Sequence, residues 1–210
     1  MNFWASVRAK AIIGVGTACG WCGRHLQVTV AGGVAFLLCT EAAALMVPLA
    51  TTTIVDRADC IVEGCVTSST SRWTDDHSAI VTEVEIDATD VFLGGTNRVT
   101  FLYEGGRVGD LEQRVSDMPT LNRGQRILVF LREKTPHESK RDLSGGQRGR
   151  GYALLGAAQG LYRIEAGRAI KDGFEVVGDA SAIERNVDAA VLKERVRQRL
   201  RTSRHGGPRL

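Results

Sequence analysis

The strongest constraint in this chain lies between Ala79 and Leu93. There Ile80, Thr82, Val84, Ile86 and Ala88 fall on alternate positions, with Glu83, Glu85 and Asp87 between them. A period of two places one set on a buried face and the other in water, which is the mark of a β-strand and not of a helix. Past Asp90 the alternation loses phase, because Val91, Phe92 and Leu93 are all apolar, and a β-bulge accounts for the slip. Gly94-Gly95 ends the run.

Other segments repeat this signature more weakly. Asp59 to Ser69 reads as a first strand, with Cys60, Val62 and Val66 on one side. Arg98 to Glu104 places Val99, Phe101 and Tyr103 on one face, and a weak edge segment follows at Gln113 to Val115. Arg126 to Arg132 is an unbroken apolar run between charges, as expected of a strand buried on both faces. Tyr152 to Leu155 and Leu161 to Ile164 read as a hairpin around Gly156 to Gly160, and Glu175 to Val177 as a short last strand. The stretch from Lys134 to Gly151, polar and rich in Lys, Arg, Ser and Gly, reads as a mobile insertion. With 24 glycines among 210 residues for tight turns, the pattern predicts a mainly β fold, a small OB-like closed barrel with one C-terminal α-helix.

That helix belongs to residues 181–210. Ser181 and Glu184 fit a capping box, Asp188 is a second candidate cap, and Leu192, Val196 and Leu200 form a narrow apolar stripe. Arg195, Arg199 and Arg201 are expected to point outward. The formal charge of +3 is unevenly spread: Thr51 to Leu192 carries 17 basic against 22 acidic residues, while Lys193 to Leu210 carries 7 against 1. An acidic body thus bears a basic tail, which reads as a solvated helix face or as a contact for phosphate or an anionic surface.

Residues 1–50 read as a leader. Leu26 to Thr40 has fifteen uncharged residues, Arg24 stands before it, and Ala42-Ala43-Ala44 follows. Basic, apolar and small-residue regions in that order make a signal peptide, with cleavage after Ala44 or, less comfortably, after Ala50, where Pro48 occupies the third position back. The alternative is a membrane anchor over residues 26–50, against which Glu41 and the short clean run both count. Cys39 lacks the small preceding residue of a lipoprotein site, since Leu38 stands there. The expected mature body, residues 51–180 with its insertion at 134–151, is therefore exported, periplasmic or extracellular. It keeps only Cys60 and Cys65, which point to opposite strand faces and cannot bridge each other there.

Motifs for chemistry are sparse. Leu143-Ser144-Gly145-Gly146-Gln147 spells the signature of ATP-binding cassettes, but the chain holds no Gly-Lys pair and so no phosphate-cradling loop to oppose it. Cys19-Gly20-Trp21-Cys22 lacks the βαβ context of a redox pair. Asp75, Asp76, His77 and Ser78 are consecutive in a turn, His137 sits in the insertion, and Glu83, Glu85 and Asp87 are the solvent face of a strand. No catalytic, cofactor-binding or metal-ligating residue is assigned, and no cofactor is expected.

Ala58 to Val66, Thr82 to Ile86 leading to Val91-Phe92-Leu93-Gly94, and Val99-Thr100-Phe101 resemble the first three strands of netrin-like domains. These are the OB-type barrels of tissue inhibitors of metalloproteinases. Gly124 to Leu131 is similar to a later strand of that barrel, and the resemblance spans roughly Thr51 to Ile164. The pattern also resembles uncharacterised bacterial exported proteins in which an Ala-Thr-Thr start follows the signal peptide, as at Ala50-Thr51-Thr52. The resemblance implies an OB barrel but not inhibition, because Cys60 lies about ten residues inside the mature terminus that a zinc-chelating cysteine must occupy. Trp73, Phe101 and Tyr103 are the aromatic candidates for stacking a ligand, although core burial also suits Phe101 and Tyr103. The expectation is a non-catalytic, exported binding module. Its partner would be a protein or envelope component, not nucleic acid, with membrane contact only if the leader stays uncut; a protease regulator or hydrolase with an unrecognised site is the other class.

Overall fold

The computed structural model describes residues 46–135, 138, 151–171 and 173–205, the last two without their side chains. The leader's apolar run, Cys19-Cys22, His137 and the 143–147 motif lie outside the described residues. The order of elements is α1 (Thr51–Arg57), β1 (Cys60–Trp73), β2 (Ile80–Leu93), β3 (Arg98–Glu104), β4 (Gly106–Val108), β5 (Leu111–Gln113), β6 (Arg126–Glu133), β7 (Tyr152–Leu154), β8 (Leu161–Glu165), β9 (Arg168–Ile170), β10 (Asn186–Asp188) and α2 (Ala189–His205). Short 3₁₀ turns occupy Ala157–Gly160 and Ala180–Ala182.

Five strands close into a barrel in the order β1-β2-β3-β7-β6 and back to β1. All these contacts are antiparallel except β3 with β7, which is parallel. The result is mainly β with a C-terminal helix and compatible with an OB-like fold. The alternation over β2 holds: Val84 and Ile86 are fully buried in the barrel interior with Cys60, Val62, Val66, Val99, Phe101, Ile127, Val129 and Leu131. The bulge expected past Asp90 is there, with Phe92 skipped between Leu93↔Ile61 and Val91↔Val62. A second bulge at Thr89 precedes it, so that Phe92 and Leu93 turn to the outer cluster.

Strand β6 is central and buried on both faces, as its sequence requires. Ile127, Val129 and Leu131 point inward, while Leu128 and Phe130 face a second cluster outside the barrel. That outer cluster is closed by Ile54 and Val55 of α1 and by Leu192, Val196 and Leu200 of α2. The helix begins later than the Ser181 box suggests. Asp188 is its cap, its Oδ1 accepting from the Ala190 and Val191 amides at 2.9 and 3.1 Å, while Ser181 lies in a 3₁₀ turn capped by Asp179.

Two readings of the sequence are corrected. Tyr152–Leu154 and Leu161–Glu165 do not form a hairpin; both pair antiparallel with β6, with partners Leu131↔Leu154 and Val129↔Leu161. They form one strand direction interrupted at Leu155–Gly160, which bulges out opposite Phe130 while the Leu155 amide still donates to the Phe130 carbonyl at 3.0 Å. Two short apolar runs around glycines look the same in sequence whether the chain reverses or detours. Nor is Glu175–Val177 a strand: only Val176 bridges, to Met46, and the terminal strands are β9 and β10. The weak edge segment is β5, two residues earlier than read, and it pairs with β4 in a separate ribbon.

Gly64 shows how tightly β1 and β2 are drawn together at the bulges. A Cβ there would sit 2.3 Å from the Asp87 carbonyl oxygen and 2.9 Å from the Ala88 Cα. Backbone cannot yield cheaply, so Gly64→Ala is expected to destabilise the domain by about 2–3 kcal/mol in urea unfolding. A loss below about 0.5 kcal/mol would show that the two strands separate freely there.

Candidate functional site

Strand β1 is held on its β6 side only from Cys60 to Cys65, the last pair being Cys65↔Arg126. A bulge at Thr67 follows, between Val66↔Ile86 and Ser68↔Glu85. From there to Trp73 the strand has β2 as its only strand partner among the described residues. On its β6 side no barrel strand pairs with Thr67–Trp73 among the described residues.

Beside that stretch lies a cleft of about 380 Å³, lined by Thr67, Ser68, Ser69, Thr70, Leu121, Asn122 and Arg123. Its far wall is the turn before β6, which the sequence marks as Asn122-Arg123-Gly124-Gln125. Gly124 has φ +86°, the left-handed backbone that favours glycine. The turn is clipped to β1 by two backbone bonds, Gly124 N to Val66 O at 2.8 Å and Val66 N to Gln125 O at 2.9 Å. Leu121 anchors it by inserting into the barrel interior at 3% exposure.

Tyr103 packs half-buried against the barrel interior, its ring centroid 6.4 Å from that of Phe101. Burial raises its phenol pKa, and hydrogen bonding to Thr82, the Leu121 backbone and Ser69 works against that rise. Tyr103 is therefore a positioning residue and not a stacking platform. Phe101 is fully buried, and Trp73 stacks on His77 at 6.2 Å between ring centroids. On the floor, Thr67 Oγ1 donates to the Glu85 carbonyl and Ser68 Oγ to the Glu85 carboxylate. Thr70 is exposed, and no carboxylate lies in ion-pairing reach of Arg123 among the described residues. The arrangement presents hydroxyls and one cation, groups that can donate hydrogen bonds.

The other charged candidates are engaged. Asp75 to Ser78 form the β1–β2 turn, with Asp76 Oδ1 accepting from the Ser78 amide and hydroxyl and from Thr74. Glu83 pairs with Arg72 and Asp87 with Arg98 across strands, so the three acids of that face do not converge. Among the described residues no group of His, Cys, Asp or Glu is arranged to hold a metal ion. Cys60 and Cys65 are free thiols on opposite faces, and burial pushes the Cys60 thiol up to about 11.

The basic tail is largely consumed inside the molecule. Arg199 makes a bidentate pair with Asp56 of α1 at 2.8 and 2.6 Å, Arg197 reaches Asp90 at 2.5 Å, Arg195 pairs with Glu184, and Arg201 with Glu194 at 2.7 Å. Lys193 reaches the buried Glu63 at 3.0 Å, which also meets Arg126 at 2.6 Å. Lys193 and Arg197 thus fasten α2 to barrel strands and Arg199 fastens it to α1, while the Arg201–Glu194 pair lies within α2 itself.

Sequence reasoning missed a buried polar cluster between β8, β9 and the helices. Lys171 is 2% exposed, with Nζ 4.1 Å from the Tyr162 ring centroid. Desolvation lowers its pKa to about 7, with Glu184 opposing and Arg185 reinforcing that change. The Tyr162 hydroxyl meets Thr51 Oγ1 at 3.0 Å, and burial pushes that phenol up to about 12. Lysine between Ile170 and Asp172 carries no local sign of burial. The amine is shut off from solvent, so the cluster holds elements together and does not offer a nucleophile.

Among the described residues, no helix is long and apolar enough to cross a membrane. No family model, curated protein or solved structure matches the chain.

Proposed function

We propose that this chain is an exported, non-catalytic binding domain whose partner is a protein, seated as an extended segment along the Thr67–Trp73 edge of β1. The observation that carries the reading is the release of β1 by β6 after Cys65, which leaves Thr67–Trp73 beside a hydroxyl-lined cleft. An extended polypeptide added to a sheet edge gains main-chain hydrogen bonds, and side chains along the groove give selectivity. Arg123 favours an acidic residue where that segment passes the Asn122–Gln125 turn. Kinship with netrin-like barrels is proposed on strand pattern and ring order. It does not extend to protease inhibition, because Cys60 opens β1 inside the barrel and has no terminal amine beside it.

Site-specific photocrosslinking in exporting cells tests the reading. A benzoylphenylalanine at position 70 is expected to give a discrete protein adduct. The same probe at exposed position 111, on β5, is expected to give none, and Arg123→Glu should cut the adduct about tenfold. Equal labelling from both positions, or none from position 70, would overturn the proposal.

A further inference from the structure

We infer that the leader is hydrolysed at the Ala44–Leu45 bond, and that residues 46–50 are an integral strap of the mature domain, held by Gln159. The inference rests on the export reading and adds the site of processing to it. Both small-residue exits in the sequence are open to a signal peptidase on local grounds. The fold separates them.

Met46 lies in a parallel bridge with Val176, and its carbonyl accepts from the Val177 amide at 2.9 Å. Its side chain packs on the small cluster of Ala158, Phe174 and Ile183. Gln159, only 1% exposed, then grips the next three residues: its Nε2 donates to the Val47 carbonyl at 3.0 Å, and its Oε1 accepts from the Leu49 amide at 2.7 Å. Leu49 packs against the outer cluster under the helices. Ala50 caps α1, its carbonyl accepting from the Ile54 amide at 3.1 Å.

Cleavage after Ala50 would remove all of this. A buried amide would lose both partners and be left stranded away from water, and Leu49 would leave an apolar gap. Cleavage after Ala44 leaves every one of these contacts intact. Water then adds across the Ala44–Leu45 peptide bond, giving a carboxylate on Ala44 and a free amine on Leu45, one residue ahead of the strap. The detour at Leu155–Gly160 gains a purpose from this, since it places Gln159 beside the incoming chain.

The test is N-terminal sequencing and intact mass of the full chain exported by a bacterial host, with two variants. A mature start at Leu45, and precursor accumulation on Ala44→Leu, are the expected results. A start at Thr51 would overturn the strap while leaving export standing. An uncut chain in the membrane fraction would overturn the cleavage and the export reading together. Independently of processing, Gln159→Leu should lower the melting temperature by roughly 5 °C or more. An unchanged melting temperature would show that residues 46–50 are not part of the folded domain.

Discussion

Replacing Lys171 with methionine is expected to stabilise the domain by about 2–4 kcal/mol at pH 6, with the gain fading as pH rises toward 10. In the folded protein the amine titrates at about 7, against an ordinary lysine value of 10.5 in the unfolded chain. Below pH 7 both states carry the proton, and the folded state bears the full cost of a desolvated ammonium. Between 7 and 10.5 the unfolded chain binds the proton and the folded one does not, so stability rises with pH through that window. The gap corresponds to at most about 5 kcal/mol. Cation–π attraction to Tyr162, worth about 2 kcal/mol in a dry site, is already contained in what the charged state retains, and methionine forfeits it. Comparing urea unfolding of the two proteins at pH 6, 8 and 10 isolates Lys171 from other titrations, such as that of the Cys60 thiol near 11. A gain constant across the series would place the lysine charge in water and undo the assignment.

What could be read from the sequence divides along a physical line. Strands whose two faces differ, β2 and β3, announce themselves by alternation, and β6 announces double burial by having none. All three occupy the expected positions. Where the signal is local but the outcome is decided by a distant partner, it fails. Leu155–Gly160 could reverse or detour, and Phe130 on β6 decides for the detour. Ser181 and Asp188 both resemble caps, and the packing of Leu192, Val196 and Leu200 selects the second. The cleft was half legible. Its turn at Asn122–Gln125 is marked in the sequence, but the first strand read from alternation stops at Ser69, short of Trp73, and nothing in either segment says that β6 lets go of β1 at Cys65. Lys171 and Gln159 were not legible at all, because a polar side chain reads as solvent-facing unless its partners are known.

Val84→Asp is expected to abolish the folded state, whereas Glu83→Lys one residue earlier is expected to cost under about 1 kcal/mol. Val84 is fully buried inside the barrel, among Val66, Ile86 and Phe101. An aspartate there must either carry an unpaired charge in an apolar interior or take up a proton, and either route costs on the order of 5 kcal/mol. A domain of this size holds only about 5–15 kcal/mol in total. Glu83 points to the other face, with its side chain 30% exposed and only a long 3.9 Å pair to Arg72. Reversing its charge disturbs a weak cross-strand contact in water and nothing in the core. Near-ultraviolet circular dichroism and urea titration of the two variants give the contrast directly. Loss of cooperative unfolding in Val84→Asp alone follows from a closed barrel whose interior is set by the even positions of β2. Equal tolerance of both changes would mean that the interior is open to water, and equal damage would mean that the outer face of β2 is also covered.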